Sequence, residues 1–544
     1  MRFADAPLIL YAEDSYNNTI KGRRMETFLQ QFGSKIKGVL TGFDRIVFKG
    51  CLRHLSYPDG AARFLARRSV LNKDYKAWMQ AQSAAMVAGC EKIALELTGV
   101  GITYIPSLRE RKEELAHARM REKGVASGLI GVWSCTESCR TFRAAFDPGA
   151  GRPRLRPDRS KCNHLYFYHN HAEFGFMSVR LQTWFPYEIQ IALNGREWLR
   201  RGLERKGVAH TADGNKFLGV GDFATAQGLL DAQPLAAWFG ILDGFAREAF
   251  PTMGQTLGDG PGYRWTLWQS EWATDFIFDA AGSVAPLMDS LLRHELANGT
   301  GERVLRYFGK PVRPDGQPHP LADPEILSRA GVWYNGMRMK HWLDGNSVKF
   351  YNEHNALRFE TTLNNPAPFK VWRCKEGAPD GAKERLPLRK GVADIPLRAK
   401  VCSEINARFI GQAAQVKDTA KVREIVASVG RKTRDGRAVR TLDILGKDRE
   451  LLAAVADPTL ASLGGITNKA LQKTLAGTAW AKGMTGKRLS ARIGRNLRLL
   501  RDHGLISKVP EQRKYYLSDK GRRLTALIPA ILSASTEQLT QHAA

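Results

Sequence analysis

The sequence predicts an α+β mixed multidomain protein, with an α/β body of antiparallel strand pairs and a smaller C-terminal helix–strand–strand–helix module. Three observations predict it. A chain of 544 residues holds two to four domains at roughly 150 residues each. Strand-like alternation recurs through the first 373 residues, most clearly at 129–144, 162–193 and 347–373. The last 80 residues switch to three- and four-residue apolar spacing.

In chain order, residues 1–25 read as an N-terminal arm and 26–210 as an α/β domain. Residues 36–50 are a strand interrupted by a Gly-Phe-Asp turn, and 61–97 a helical stretch. GVGITYIPS reads as a strand bounded by glycine, and RERKEELAHARMREKG as a charged helix stopped by glycine. Between the strands at 129–144 and 162–193, DPGAGRPRLRPDRSK reads as a loop. NGREWLRRGLERKG is an amphipathic helix with Trp198, Leu199 and Leu203 inward and Arg196, Arg200, Arg201 and Arg205 outward.

Residues 211–397 continue the body, with helices expected over 222–252 and 281–297. In 347–373, Val348 and Phe350 alternate with Lys349 and Tyr351, and Leu357 and Phe359 with Arg358 and Glu360, around a tight Asn-Glu-His-Asn turn. A helical connector, 398–464, leads to the module at 465–544. Its long helix carries Leu489, Ile493, Leu497 and Leu500 on one stripe and ends at Gly504.

Charge sets the expected partner. With 82 Lys+Arg against 54 Asp+Glu, the net charge of +28 excludes an acidic solvating chain and favours nucleic acid or another anionic surface. Residues 481–530 hold thirteen Lys+Arg and three Asp+Glu, so ten of the 28 charges fall there. Seven cysteines without a dense framework suit a reducing compartment, and no apolar run is long enough to span a membrane. A cytoplasmic protein is expected, with homo-oligomerisation left open.

The string LLRDHGLISKVPEQRKYYLSDKGRRL resembles the winged helix-turn-helix of bacterial MarR-like regulators. That resemblance implies a recognition helix offering Lys487, Arg488, Ser490, Arg492, Arg495, Asn496 and Arg498 to a groove, with Arg513, Lys514 and Tyr515 on the wing. Through FDRIVFKGCLRHL, FGFMSVRLQTWFPYEIQIALNGREWL and LRFETTLNNPAPFKVWR, the body resembles an uncharacterised multi-copy bacterial group that suggests a mobile element. Basic and aromatic residues interleave at Arg180 and Trp184 and around Arg373, a pairing suited to structured RNA or single strands.

Two clusters have metal chemistry. Asp44 opens an apolar strand, Glu360 lies within an alternating one, and Glu271 and Asp275 sit in the aromatic stretch WQSEWATDFIFD. Converging carboxylates of this kind hold Mg2+ in two-metal catalysis. The bland account is that they pair with the abundant arginines. Cys135-x3-Cys139 and Cys162-x-His164 supply the donor set of a structural Zn2+ site, though buried thiols are also ordinary core residues. The string His169-Asn170-His171 lacks the spacing of a nuclease motif. The expected function is therefore a nucleic-acid-binding protein of a mobile element or ribonucleoprotein, taking RNA, DNA or both. A divalent-metal nuclease or transposase and a transcriptional regulator are the alternatives.

Overall fold

The computed structural model describes residues 28–29, 32–106, 111–233, 238–258, 262–311, 326–333, 336–378, 381–414, 422–434, 437–457, 466–508 and 512–535. The expected arm at 1–25 and part of the wing turn, 509–511, lie outside them. The chain divides into two compact units, one drawn from 1–296, 307–309 and 324–414, the other from 297–306, 310–323 and 415–544.

The first unit is organised by a mixed sheet. Its strands are β1 (Ile36–Cys51), β2 (Thr103–Tyr104), β3 (Gly128–Asp147), β4 (Arg152–His171), β5 (Gly175–Gln182) and β6 (Ile189–Asn194), with β7 (His210–Asp213) and β8 (Lys216–Val220) forming a separate hairpin. The sheet resumes with β9 (Arg264–Phe278), β10 (Ile326–Trp333), β11 (Gly336–Leu343), β12 (Asn346–Glu353) and β13 (Ala356–Leu363). Among the described residues it has eleven strands in the order β10-β11-β12-β13-β9-β1-β6-β5-β4-β3-β2, antiparallel except where β2 joins β3. Two meanders, β3–β6 and β10–β13, flank the central pair of β1 and β9, with β9 lying between β13 and β1. Each meander is local in sequence, but the β1–β9 seam joins residues more than 200 apart.

Three elements differ from expectation. Residues 36–51 form one strand: the Gly-Phe-Asp interruption is a β-bulge, in which Asp44 and Arg45 together face Glu271 between the pairs Phe43–Trp272 and Ile46–Ser270. The basic stretch at 152–161 is strand, paired residue by residue with 138–147, because only the turn around Gly151 needs loop geometry and Leu155 returns to the core. Arg196 points inward at 1% exposure, although its helical neighbours Arg200 and Arg205 face outward as expected.

The β12–β13 alternation holds. Phe350 and Phe359 face helix Ile395–Ala413 and meet Phe409 at 5.7 and 5.6 Å between ring centroids. Asn406 of that helix donates to Thr274 Oγ1 (2.8 Å) and to the Phe359 carbonyl (3.2 Å). Lys349, Tyr351, Arg358 and Glu360 must then lie on the opposite face. Helices Pro58–Ala66, Tyr75–Thr98 and Trp238–Ala249 cover the core of the β3–β6 half. A small hairpin, β14 (Lys370–Arg373) with β15 (Glu384–Pro387), completes this unit.

In the second unit, β16 (Lys432–Arg434) pairs with β17 (Arg437–Val439). β18 (Ile466–Thr467), β19 (Ile506–Lys508) and β20 (Lys514–Leu517) form a three-stranded sheet. Helix Gly486–Asp502 buries Leu489, Ile493, Leu497 and Leu500, the stripe its spacing predicts. Several of the polar residues expected to face a ligand are engaged within the unit instead. Ser490 donates to Asn468 Oδ1 (3.0 Å), the Arg492 guanidinium lies 4.5 Å from the Trp480 ring centroid, and Asn496 donates to the Arg492 carbonyl (2.9 Å). Lys487, Arg488, Arg495 and Arg498 stay exposed, as does Arg513, while Lys514 and Tyr515 are half-buried.

Candidate metal centre

One charged face shared by β1, β9, β12 and β13 builds a site from four strands. Register places Asp275 opposite Arg358, Glu360 opposite both Ala273 and Lys349, and Glu271 opposite Thr362. The bulge in β1 brings Asp44 beside them. One oxygen each from Asp44, Glu271 and Glu360 lies within 4.8 Å of the other two. A Mg2+-sized ion with bonds of about 2.1 Å holds its ligand oxygens about 3–4 Å apart, so small side-chain adjustments would close this set on a cation.

Cations surround the acids. Arg358, 2% exposed, donates Nη1–H to Asp44 Oδ2 (2.9 Å), Nη2–H to Asp275 Oδ2 (3.0 Å) and Nη2–H to the Asn215 carbonyl (2.7 Å). Arg196 pairs with Asp275 at 3.0 Å and donates to the Ala273 carbonyl, but its Nε and Nη1 find no partner. Lys349 pairs with Glu360 at 2.7 Å. Arg196 reaches the sheet because its helix, capped by Asn194, begins at Gly195, where a Cβ would meet the Phe43 carbonyl at 2.3 Å. The side chain of Asn215, in the β7–β8 turn, reaches Asp44 Oδ1 at 3.4 Å.

Burial dominates the electrostatics. It raises the Asp44 carboxyl above the usual range, against the opposing pull of Arg358. It also raises Glu271 to about 7, with Glu360 adding to the rise and Lys349 resisting it. Four carboxylates (Asp44, Glu271, Asp275, Glu360) lie among three close cations (Arg196, Lys349, Arg358), with Arg45 and Lys340 farther out in the same field. Asn215 also lines a polar cleft of about 230 Å³ with Arg45, Glu113 and His117.

The sequence reading selected all four acids, and the structure divides them. Asp44, Glu271 and Glu360 converge, while both oxygens of Asp275 are taken up by Arg358 and Arg196. Arg358, Lys349 and Arg196 were missed. The one legible signal was Lys349 and Arg358, basic residues on alternating strands.

The expected Zn2+ set does not assemble. Cys135, Cys139, Cys162 and His164 share a sheet face, but Cys139 and Cys162 are joined as a disulfide, which removes two of the four ligands. Burial, reinforced by Arg180, lowers His164 to about 4. Arg180 is bound to Glu137 at 2.6 Å, Trp184 packs edge-on against Tyr75, and Arg373 donates to the Pro387 and Cys374 carbonyls. A second group, Asp213, Glu353 and His354, gathers at two hairpin tips, where His354 meets Asp213 at 3.1 Å and Glu353 pairs with Lys216.

No family model matches the chain, and no curated protein matches it. Two solved structures of the 3-hydroxy-3-methylglutaryl-CoA reductase of Streptococcus pneumoniae match it at 10% identity, one a class II enzyme bound to NADPH in open conformations. They cover 90% of this chain and 83% and 82% of theirs, with TM-scores of 0.20 and 0.19. At those scores no reductase fold, cofactor or activity transfers to this chain. No family model, curated protein or solved structure of a MarR-like regulator or a mobile-element protein matches the chain, and the readings that rested on that resemblance are withdrawn. These are the winged helix-turn-helix, the nucleic-acid partner, and the mobile-element, ribonucleoprotein and regulator roles. The engagement of Ser490, Arg492, Asn496, Arg180 and Arg373 within the protein is the physical counterpart of that correction. Among the described residues, no helix is long and apolar enough to cross a membrane.

Proposed function

We propose that Asp44, Glu271 and Glu360 hold a divalent cation, Mg2+ or Mn2+, and that the chain is a metal-dependent hydrolase acting on an anionic ester. The observation that carries the reading is the convergence of three carboxylates from three strands, one of them re-aimed by a bulge. A cation held there would act as a Lewis acid on a water or ester oxygen.

The protein's own groups have separate tasks. Arg358 fixes Asp44 by a charge-assisted hydrogen bond and neutralises Asp275, which keeps the latter structural. Lys349 orients Glu360. Arg45 lines the adjoining cleft and lies in the field of Glu271, and Lys340 lies in the field of both glutamates. The pair favours an anionic substrate over a neutral one. The orphan N–H groups of Arg196 are donors that a bound water could satisfy.

The test is Mn2+ titration followed by calorimetry, with hydrolysis of p-nitrophenyl phosphate and p-nitrophenyl acetate as the activity arms. The reading expects one tight Mn2+ site, lost in Asp44→Asn, and turnover of the anionic ester that requires the metal. Unaltered Mn2+ binding in Asp44→Asn, or metal-independent turnover, would overturn it.

A further inference from the structure

A second cleft, of about 800 Å³, lies elsewhere in the first unit and shares no residue with the acid centre. Helix Lys112–Glu122 supplies its basic side: Arg119 and Lys123, one turn apart, both line it. The Arg119 guanidinium is held in place, 4.4 Å from the Trp133 ring centroid and donating Nη2–H to Thr103 Oγ1 at 3.0 Å. Its Nη1 is buried and has no partner. The space for it comes from Gly131, where a Cβ would stand 2.5 Å from Nη1.

The other walls are as specific. β3 bulges at Ile130, between the pairs Leu129–His169 and Gly131–Tyr168, and the cleft lies against that bulge. His171 accepts from the backbone N–H groups of Glu173 (3.1 Å) and Phe174 (3.3 Å) through Nδ1, so its proton is on Nε2 and remains available. Leu97, Val125 and Phe245 add apolar surface. One acid, Glu248, lies 3.8 Å from His169, and burial raises its carboxyl above the usual range.

We propose that this cleft binds a small organic monoanion, a carboxylate on an apolar body, with the positive charges of Arg119 and Lys123 attracting the carboxylate and the apolar wall holding the body. The Arg119 guanidinium is already fixed against Trp133 and Thr103, so it loses little side-chain freedom when an anion binds beside it. The half-buried Glu248 in the wall disfavours a multiply charged anion. The site is independent of the proposed metal centre, so either can fail without the other.

The experiment is calorimetric titration of the full chain with octanoate, with octan-1-ol and inorganic phosphate as comparison probes. Octanoate is expected to bind at one site, and octan-1-ol and phosphate at least tenfold more weakly. Arg119→Gln, which removes one of the two attracting charges, is expected to weaken octanoate by about ten- to a hundredfold. Lys123→Gln and Ser127→Trp change exposed residues of the rim and leave the core intact, so they serve if Arg119→Gln unfolds; the first should weaken binding and the second block it. Absence of octanoate binding at about 1 mM, tighter binding of phosphate, or octanoate affinity unchanged in Lys123→Gln and Ser127→Trp would each overturn the proposal.

Discussion

Replacing Glu271 with Gln separates a cation site from an ordinary ion-pair network. Glu271 ionises at about 7 instead of its ordinary 4.5, chiefly through burial and then through Glu360. Because the folded value is the higher one, the carboxylate form is penalised in the folded state. The penalty is absent below about 4.5, grows as pH rises and is complete above about 7. That rise corresponds to about 3 kcal/mol, which partial exposure at the rim reduces to about 1–2 kcal/mol. Gln keeps an oxygen to accept the 2.7 Å hydrogen bond from Gln269 Nε2, and carries no charge. Glu271→Gln is therefore expected to stabilise the metal-free protein at pH 8 by about 1–2 kcal/mol, measured by urea unfolding with a chelator present. The same variant should lose the stabilisation that Mn2+ gives the wild type. Destabilisation at pH 8 together with an undiminished response to Mn2+ would refute the reasoning.

Other outcomes follow from the same geometry. Arg358→Met strands Asp44 and Asp275 in the interior and should cost about 3–5 kcal/mol in urea unfolding. Burial, aided by His171, lowers His169 to about 4, so the unfolded chain binds a proton there first as pH falls. Stability should be complete above about 6.5 and drain away toward pH 4, by about 3 kcal/mol, and His169→Gln should flatten that part of the curve. Leu497→Ala empties part of the stripe buried in the second unit, and should cost about 2–5 kcal/mol, read by hydrogen exchange of residues 466–508.

Local periodicity made much of the fold legible. The alternation of Val348 and Phe350 with Lys349 and Tyr351 identified a strand with one apolar and one charged face, and the stripe from Leu489 to Leu500 identified a helix and its buried side. Asp44 and Glu360 stood out because carboxylates inside apolar strands need a reason to be there, whereas Glu271 was singled out with Asp275 by a four-residue spacing that suits one face of a helix, and the structure puts both on strand β9. Of the acids' counter-charges, Lys349 and Arg358 were legible as basic residues on alternating strands, and Arg196 was not. Arg196 lies on a helix whose polar face also carries the half-buried Arg200 and Arg201 and the exposed Arg205, and its pairing with Asp275 on β9 shows only in the fold. The β1–β9 seam leaves no local trace, and the bulge that aims Asp44 resembles a turn in sequence. At 152–161, prolines and arginines suggested a loop, but pairing along β3 outweighed local composition. The basic surface of the second unit was read through a resemblance, and internal partners for Ser490, Arg492 and Asn496 are visible only in three dimensions.

The central claim is that Asp44, Glu271 and Glu360 form one cation site, and manganese binding followed by electron paramagnetic resonance tests it most directly. One Mn2+ per chain, with the free-ion signal restored by Asp44→Asn, by Glu360→Gln and by Glu271→Gln, is the result predicted. A free-ion signal that the wild-type protein leaves undiminished, or that all three variants quench as fully as the wild type, would contradict it.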